Sequence, residues 1–370
     1  MLNTTSSNDE ADEAQRQRLF ALLTSTLPMD EVVYAFGYGS GVFSQQIAHD
    51  NNDHDRQEPK VIDLIIVVQD ALAFHQANLE RNPSHYAFNW LPNNTTTTAA
   101  QWCTWWQRHT PPVWLGRNPG VYFLLTDELK YGVVQMDDLC ADLQYWTCLY
   151  LAGRMHKPIL PLMARKQQQQ QQQRSSAHDY ERIVHLQQTV NLPAALAMTL
   201  WRLSTSTQNN NENNNNNPPN VSDTQVYAQI AQLSYTGDFR VAYGAEDPQK
   251  ITRLVQGPGQ LERFQALYAV AAATLQERGI LSIEGSIKTT TEEKGTTDKD
   301  TTATHWTWDA SHSSLAFLQS QIPLSSPPYH IHEIVAPAAR YQSFKGIVTV
   351  SPSRAWKYAI RKLTKGLLRR

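Results

Sequence analysis

The order of apolar and polar positions predicts an α/β arrangement in the N-terminal part of the chain. Two apolar runs, 32–36 and 61–68, have the length of strands. The second is apolar on both faces apart from Asp63, which favours a central strand. Helices are predicted over 14–26 and over 70–80, the latter with an aspartate N-cap.

The pattern continues with two more strands and then turns helical. Strands are predicted over 120–125 and 129–135, joined by a tight turn at Asp127-Glu128. One long helix is predicted over 136–154, where apolar residues recur every three or four positions. The remaining predicted helices lie beyond this unit, over 176–204, 222–234 and 260–278.

Low-complexity tracts divide the chain. A polyglutamine run, 167–173, is expected to mark a domain boundary, and the tracts 209–220 and 286–304 are expected to be insertions because they hold too few apolar residues to pack. The expected organisation is an α/β domain over 1–165, a mostly helical domain over 175–285, a segment over 305–352 that returns to the first domain, and a terminal helix over 353–370.

Composition narrows the class of protein. The formal net charge of the 370 residues is only −2, but the last eighteen contain seven basic residues and no acidic one. The three cysteines, Cys103, Cys140 and Cys148, are odd in number and lack zinc-site spacing. A disulfide scaffold is therefore excluded, and a reducing compartment is favoured. The sequence has no run of eighteen apolar residues, no signal-type apolar stretch at its acidic start, and no predicted bilayer span.

A glycine-rich turn follows the first strand directly. Residues 37–41 read Gly-Tyr-Gly-Ser-Gly, and glycines let the backbone approach a phosphate while free amides form an anion nest. Val42 stands where a dinucleotide fingerprint needs glycine, and the lysine of a P-loop is missing. A plain tight turn remains the alternative for this segment taken alone.

Asp63 favours a phosphate-binding role for that turn over a plain tight turn. A carboxylate inside a buried strand is costly unless it is paired or binds a metal. A strand, a Gly-Ser turn and a strand with an aspartate form the layout of polymerase-β-like nucleotidyltransferases, in which the turn holds the triphosphate and carboxylates hold Mg²⁺. Those enzymes usually carry Asp-x-Asp, whereas Ile65 occupies the second position here. A further ligand would come from Asp127, Asp238 or the nucleotide, and a salt-bridged structural aspartate is the alternative.

Seven ordered motifs resemble one family, the mitochondrial phosphatidate cytidylyltransferases of the translocator assembly and maintenance type. The resemblance covers roughly 15–370, with the low-complexity tracts as interruptions. The motifs are the turn 36–45; Ile62-Asp63-Leu64; His75, Asn78-Leu79, Asn82-Pro83 and His85-Tyr86; Lys130-Tyr131-Gly132-Val133; Tyr150-Leu151-Ala152-Gly153-Arg154 with Lys157-Pro158; 233–240, LSYTGDFR; and Lys345-Gly346 with Thr349.

The resemblance implies an α+β fold and a reaction. The fold would be a polymerase-β-like domain with a mixed sheet, a mostly helical winged-helix-like domain and a C-terminal amphipathic helix. The reaction would transfer CMP from CTP to phosphatidic acid, giving CDP-diacylglycerol for cardiolipin and phosphatidylglycerol synthesis. It would depend on Mg²⁺ or another divalent cation, at the matrix side of the mitochondrial inner membrane.

The resemblance also assigns roles, each with a structural alternative. Asp63 would bind the metal, and Gly39 and Ser40 would hold the triphosphate. Lys130 and Arg154 would clamp phosphates; the alternatives are a solvated strand-edge lysine and a cation at a helix C-terminus. The other residues expected to contact substrates are His75, Asn78, Asn82, His85, Tyr86, Lys157, Asp238, Arg240 and Lys345.

These further assignments differ in what they imply. The cluster from His75 to Tyr86 would read the cytosine or hold the triphosphate, with helix capping and a satisfied core histidine as the alternative. Asp238 and Arg240 would close over the nucleotide or pair with each other. Lys345 would meet the phosphatidate head group.

The last eighteen residues have a membrane-surface pattern. Trp356, Ile360, Leu363 and Leu367 fall on one helical stripe with basic residues around it, which predicts a helix that lies peripherally on an anionic membrane. A packing helix and a nucleic-acid tail are the alternatives, and no nucleic acid is expected. Two rival functions stay open: a nucleotidyltransferase acting on RNA or a small molecule, and a non-enzymatic assembly factor.

Overall fold

The computed structural model describes the chain in ten stretches, and every structural statement below concerns these residues. They are 7–43, 61–87, 95–112, 114–163, 174–210, 221–237, 249–284, 305–308, 313–322 and 331–349.

A five-stranded mixed sheet organises the N-terminal half. The strands in chain order are β1 (Val32–Tyr38), β2 (Ile62–Val68), β3 (Val121–Leu125), β4 (Leu129–Gln135) and β5 (Leu160–Pro161). Their order in the sheet is β3-β4-β2-β1-β5, in which β2 and β4 are parallel and every other neighbouring pair is antiparallel. The central position of β2 agrees with its apolar sequence, because both of its faces are covered.

Side chains alternate between the two faces of the sheet and enter two cores. Leu64 and Ile66 face one core, and Ile65 and Val67 face the other. The first core is closed by helices whose bounds are α1 (Ser7–Thr26), α2 (Ala71–Arg81) and α3 (Thr96–Arg108). The second core is closed by α4 (Met136–Tyr145), α5 (Ala152–Met155) and the C-terminal half.

The C-terminal half is mainly helical but also contains a three-stranded antiparallel sheet, ordered β6-β8-β7. Its strands are β6 (Val221–Ser222), β7 (Leu281–Glu284) and β8 (His305–Trp308). Its helices are α6 (Arg174–Leu186), a π-helical turn (Gln187–Asn191), α7 (Leu192–Asn210), α8 (Asp223–Leu233), α9 (Lys250–Gln256), α10 (Gln260–Glu277), α11 (Ser313–Gln321) and α12 (Ile331–Thr349).

The two halves share one apolar core. Ile65 and Phe123 of the large sheet belong to the same cluster as Leu196, Ile230 and Phe264 of the C-terminal helices. The predicted mixed sheet and α+β class are confirmed, and α6 of the second half packs on β1 and α4.

The best-predicted element is α2. Asp70 is its N-cap, and the Oδ1 atom accepts hydrogen bonds from the amides of Leu72 (2.7 Å) and Ala73 (3.2 Å). The predicted turn between β3 and β4 is also present, closed by the amide of Thr126 bonded to the carbonyl of Leu129 at 2.7 Å.

The single long helix predicted over 136–154 is wrong. The helix ends at Tyr145, and Trp146 and Leu149 have positive φ angles of 49° and 53°. The cause is Asp142, whose buried carboxylate takes the chain out of the helix by accepting backbone hydrogen bonds. The donors are the amides of Cys148 (2.9 Å), Leu149 (2.8 Å), Leu151 (2.9 Å) and Ala152 (2.9 Å).

Candidate active site

The glycine turn lies directly beside Asp63. In the antiparallel register of β1 and β2, Tyr38 is opposite Asp63. Gly39 has a φ of 78°, a left-handed conformation, and a Cβ atom placed there would lie 3.7 Å from Asp63 Oδ2. The amides of Val42 and Phe43 bond back to the Gly39 carbonyl at 3.1 and 3.0 Å. The structure thus brings together the turn and the aspartate; Ser40, in the same turn, is exposed.

Lys130 completes this edge of the sheet. It is opposite Asp63 in the parallel register of β2 and β4, and its Nζ atom lies 3.3 Å from Asp63 Oδ1. The side chains of both residues are 28% exposed, so the pair is open to a ligand from solvent. Asp127 is exposed in the β3–β4 turn at the same edge.

The loop that Asp142 stabilises positions Arg154 at the site. The Nη1 atom of Arg154 donates to the carbonyl of Tyr150 at 2.6 Å, and the guanidinium lies 3.9 Å from the Tyr150 ring and 5.4 Å from the Tyr38 ring. Since Tyr38 pairs with Asp63, Arg154 approaches the turn from the side opposite Lys130 in the sheet order.

Lys157 joins the two halves of the protein. Its Nζ atom donates to Ser234 Oγ at 2.6 Å and lies 4.9 Å from the Tyr235 ring. A Cβ atom on Gly153 would lie 2.5 Å from Ser234 Cβ, so glycine is required for this close approach. Ser234 and Tyr235 begin the predicted 233–240 motif, which therefore does contact the N-terminal half.

Lys250 is a site residue that sequence reasoning missed. Its Nζ atom lies 4.8 Å from the ring of Tyr235, the same ring that Lys157 contacts. Lys250 opens α9, and it reaches the site only through the packing of α9 on α8. No local spacing around residue 250 signals this, because its neighbours at the site lie far away in sequence.

The site is strongly cationic. Among the described residues it brings Lys130, Arg154, Lys157 and Lys250 to the region of the turn, together with Asp63, and Asp127 is exposed at the same edge. Burial, with the charges of Arg154 and Lys250, lowers the pKa of Lys157 well below its usual range. Such a concentration of cations beside a glycine turn is suited to binding a polyanion.

His75 and Asn78 do not face this site. Both are fully buried, with His75 Nδ1 bonded to Tyr86 Oη (3.0 Å) and Nε2 to Gln107 Oε1 (2.8 Å). Asn78 Nδ2 donates to the hydroxyls of Tyr86 (2.9 Å) and Tyr131 (3.0 Å). Burial lowers the pKa of His75 to about 4. These contacts favour the satisfied-core alternative over the expected contact with the nucleotide.

Asn82 and His85 extend the same network. Asn82 Nδ2 donates to the Thr26 carbonyl and to Asn78 Oδ1, both at 2.8 Å, and so ties α2 to α1. His85 Nδ1 lies 2.7 Å from Tyr131 Oη and is half-buried. Because Tyr131 follows Lys130 in β4, this network supports the strand that carries Lys130, and His85 is its member closest to solvent.

Lys345 lies away from the glycine turn, and its expected role at the phosphatidate head group stays a prediction. It is fully buried in α12, and its Nζ atom donates to Asn118 Oδ1 at 2.8 Å. Asn118 precedes β3 at the far end of the sheet, where Val121 pairs with Val134. From Lys130 to Gln135 the sheet extends roughly 17 Å at ~3.3 Å per residue. Burial lowers the pKa of Lys345 to about 7.

Two expectations lie outside the described residues. They are the roles of Asp238 and Arg240, and the amphipathic helix over 353–370. Among the described helices, none combines the length and apolar character that a bilayer crossing requires.

The described residues offer the carboxylates of Asp63 and Asp127, not a closed cage, to a metal ion. No group of three or more His, Cys, Asp or Glu side chains within them is placed to hold a metal. Asp63 fits a cation that keeps other ligands of its own, since Mg²⁺ commonly binds one or two carboxylates and completes its shell with water and substrate phosphates.

Comparison with known proteins gives a consistent result. A family profile described as "Phosphatidate cytidylyltransferase, mitochondrial" matches residues 20–325. Relatives of that name from Caenorhabditis briggsae and Caenorhabditis elegans are 30% and 32% identical over 268 residues, covering 72% of this chain and 67% of each relative. One from Xenopus laevis is 31% identical over 255 residues, covering 68% of this chain and 61% of the relative.

Proposed function

This chain belongs to the family of mitochondrial phosphatidate cytidylyltransferases, and we propose that it catalyses the family's reaction at the site formed by Asp63, Lys130, Arg154 and Lys157. The reaction transfers CMP from CTP to phosphatidate and yields CDP-diacylglycerol and pyrophosphate. The observation that supports this site is the cluster of cations beside Asp63 and the glycine turn.

The triphosphate of CTP is expected to lie along the turn. Gly39 lets the backbone approach the phosphates, and the Ser40 hydroxyl donates to a phosphate oxygen. Lys130 lies near the turn because β4 places it opposite Asp63, and Arg154 lies near the turn because it contacts the ring of Tyr38. Lys157 and Lys250 add charge from the side of the C-terminal half, where the leaving pyrophosphate would be neutralised.

Asp63 would hold a divalent cation, Mg²⁺ in this proposal. Bound there, it would neutralise the negative charge that the phosphates carry. Lys130, 3.3 Å from the same carboxylate, orients Asp63 and prevents it from repelling the triphosphate when no metal is bound. The exposed carboxylate of Asp127 at the same edge of the sheet is the second candidate ligand.

The acceptor needs little activation. The phosphate of phosphatidate is largely ionised near neutral pH, because the second pKa of a phosphate monoester is about 6. Its oxygen attacks the α-phosphorus of CTP while the bond to the pyrophosphate breaks. The chain's residues therefore act mainly by positioning two anions and by offsetting their repulsion.

Finer assignments of fold and place rest on family resemblance. We propose that the N-terminal half is a polymerase-β-like domain, supported by the mixed sheet with its turn after β1 and its aspartate on β2. The C-terminal half is proposed to be winged-helix-like, supported by its small sheet beside α8 and α10. The names of the relatives support a mitochondrial location. The matrix side of the inner membrane, and a supply of product for cardiolipin synthesis, are parts of the same proposal.

The decisive experiment supplies labelled CTP, Mg²⁺ and phosphatidate in mixed micelles to the full chain, and follows the label into lipid. Asp63→Asn keeps the size of the side chain and removes its charge. Asp137→Asn is the matched control, since this carboxylate is 74% exposed and pairs with the surface residue Arg182 at 3.7 Å.

Label in lipid that is lost with Asp63→Asn and with a chelator, but kept with Asp137→Asn, supports the proposal. Full activity of a folded Asp63→Asn protein would overturn the assignment of the site. A folded protein that binds CTP but labels only RNA ends would favour the rival acceptor, and one that binds no CTP would favour the assembly-factor hypothesis.

A further inference from the structure

Helix α3 presents indole rings to solvent. Its inner face is small and buried, with Ala99, Ala100 and Cys103 in the core. Its outer face carries Trp102, 52% exposed, and Trp105, 45% exposed, whose rings meet edge to face at 5.7 Å. Removing large aromatic side chains from water lowers the free energy. A pair of exposed indoles on one helix face is therefore typical of a contact surface.

The aromatic exposure continues after the helix. Trp114 is 79% exposed, the largest value among the exposed large apolar side chains of the described residues. We refer to the indoles of Trp102, Trp105 and Trp114 as the indole surface. Five of the ten tryptophans of the chain lie between residues 90 and 114, which concentrates this residue type in one short stretch.

The C-terminal helix α12 ends beside the same region. Asn118 connects the two, since its Nδ2 atom donates to the carbonyl of His109 at 2.8 Å and its Oδ1 atom accepts from Lys345. Phe344, next to Lys345, is 41% exposed. Helix α12 ends at Thr349, and the basic stretch 353–370 follows directly in the sequence. The indole surface therefore lies near the point from which this stretch continues.

The charge around the indole surface suits an anionic partner. The sequence contains no Asp or Glu between residues 81 and 126, and none after Glu333. The basic residues of the first interval are Arg81, Arg108 and Arg117, of which Arg108 pairs with Asp138 at 3.3 Å. Indoles close in sequence to cations, in an interval that itself contains no carboxylate, are typical of side chains that lie at the level of lipid head groups.

We infer that the indole surface inserts into the head-group region of an anionic bilayer, and so provides a membrane contact separate from the basic stretch at the C-terminus. This inference rests on the proposed function, because phosphatidate is an anionic lipid that the enzyme must take from a membrane. Tryptophan is the side chain most suited to this depth, with an apolar ring and one N–H donor. The contact orients the protein, and the reaction occurs elsewhere, at Asp63.

The test uses the full chain and vesicles of phosphatidylcholine with or without phosphatidate. The double variant Trp102→Ala/Trp105→Ala removes two of the three rings. Tyr145→Ala is the matched control, because Tyr145 is 47% exposed on α4, a helix that packs on the other face of the sheet. Flotation measures binding, and lipids brominated near the head group measure insertion by quenching indole fluorescence. Circular dichroism establishes that each variant is folded.

The double variant is expected to lose about tenfold in apparent affinity for phosphatidate-containing vesicles, since each indole buries a large apolar area. Its bromine quenching should fall as well, while Tyr145→Ala binds and is quenched like the unmodified protein. Both variants should turn over dispersed short-chain phosphatidate at the same rate as the unmodified protein. Absence of turnover in every protein would refute the proposed function and leave the vesicle result to be judged alone.

Unchanged flotation and quenching in the folded double variant would overturn this inference. A wild-type protein that self-associates at rising concentration, and a double variant that does not, with equal vesicle binding by both, would assign the indole surface to contact between protein chains and would overturn the inference equally.

Discussion

Asp63 and Lys130 face each other across two parallel strands, with 3.3 Å between Oδ1 and Nζ, at the edge of the sheet where the glycine turn also lies. Residue spacing cannot show this pairing, because 67 positions separate the two residues and only the parallel register of β2 and β4 aligns them. The pair explains how a carboxylate is tolerated inside an apolar strand: its head group reaches an open, cationic edge.

Lys130→Met should lower kcat/KM about 100-fold, the magnitude expected when one preorganised charge is removed from a phosphoryl-transfer site. Steady-state kinetics with CTP measure this. Because Lys130 acts together with Asp63, adding Asp63→Asn should produce less than the sum of the two losses in free energy. Arg182→Met, which breaks the exposed pair with Asp137, is the control and should leave the rate unchanged. Full additivity would mean that the two residues act independently.

Binding of CTP should take up protons through Lys157. Burial and the charges of Arg154 and Lys250 lower the pKa of Lys157 in the free protein, and the arrival of a triphosphate raises it again. Between these two pKa values the bound state holds more protons, so affinity for CTP falls as pH rises. Calorimetry in buffers of different ionisation enthalpy measures the uptake.

Two substitutions test this linkage. Lys157→Met should abolish the proton uptake, and Lys250→Met should reduce it because one of the charges that lowers the pKa of Lys157 is gone. Both should also weaken CTP binding, by about tenfold for one lost charge contact. If the proton uptake is the same in the Lys157→Met protein, another group is responsible.

His75 should make the protein sensitive to acid. Its pKa is about 4 in the folded protein and about 6.5 when unfolded, so the unfolded chain binds more protons in this interval and stability is lost as pH falls through it. The loss amounts to about 3 kcal/mol once the pH is below both values. Urea unfolding at a series of pH values measures how the free energy of unfolding changes with pH. This change should be smaller for His75→Gln than for His178→Gln, an exposed control on α6. Equal changes would exclude this group as the source.

Asp142→Asn should destabilise the protein by about 3 kcal/mol, because an amide nitrogen placed against backbone donors leaves two of them unsatisfied. The carboxylate accepts four amide hydrogen bonds that hold the loop leading to Arg154. Chemical denaturation measures the loss, with Asp137→Asn as the exposed neighbour. Activity of the folded fraction should also fall, since the loop positions Arg154; a stable variant with normal activity would contradict both effects.

The sequence predicted the parts of the fold that depend on local pattern. The apolar runs of β1 and β2 and the Asp70 cap of α2 were found because each signal lies within its own segment. Helix α3 was missed, since the threonine run at its start resembles low complexity. The helix predicted over 136–154 was wrong because Asp142 fits a helical pattern, and only tertiary structure shows that its carboxylate binds the loop.

The sequence singled out Asp63, Gly39, Lys130, Arg154 and Lys157, and the structure places them in one region, while their roles stay predictions. The spacing of the polar residues in α2 could not show whether they face a ligand or each other, and the structure places His75 and Asn78 inward. Lys250 and the far-edge position of Lys345 depend on how distant segments pack, which no local pattern encodes.

The shared core behind β2 has a consequence for how the chain behaves as a whole. Ile65 and Phe123 belong to the same apolar cluster as Leu196, Ile230 and Phe264, and α6 packs on β1 and α4, so a fragment that stops at the polyglutamine run would expose part of that cluster to water. The two halves should therefore melt in a single cooperative transition rather than as separate modules. Lys157 and Ser234, which meet across that junction, would come apart only when the whole molecule unfolds.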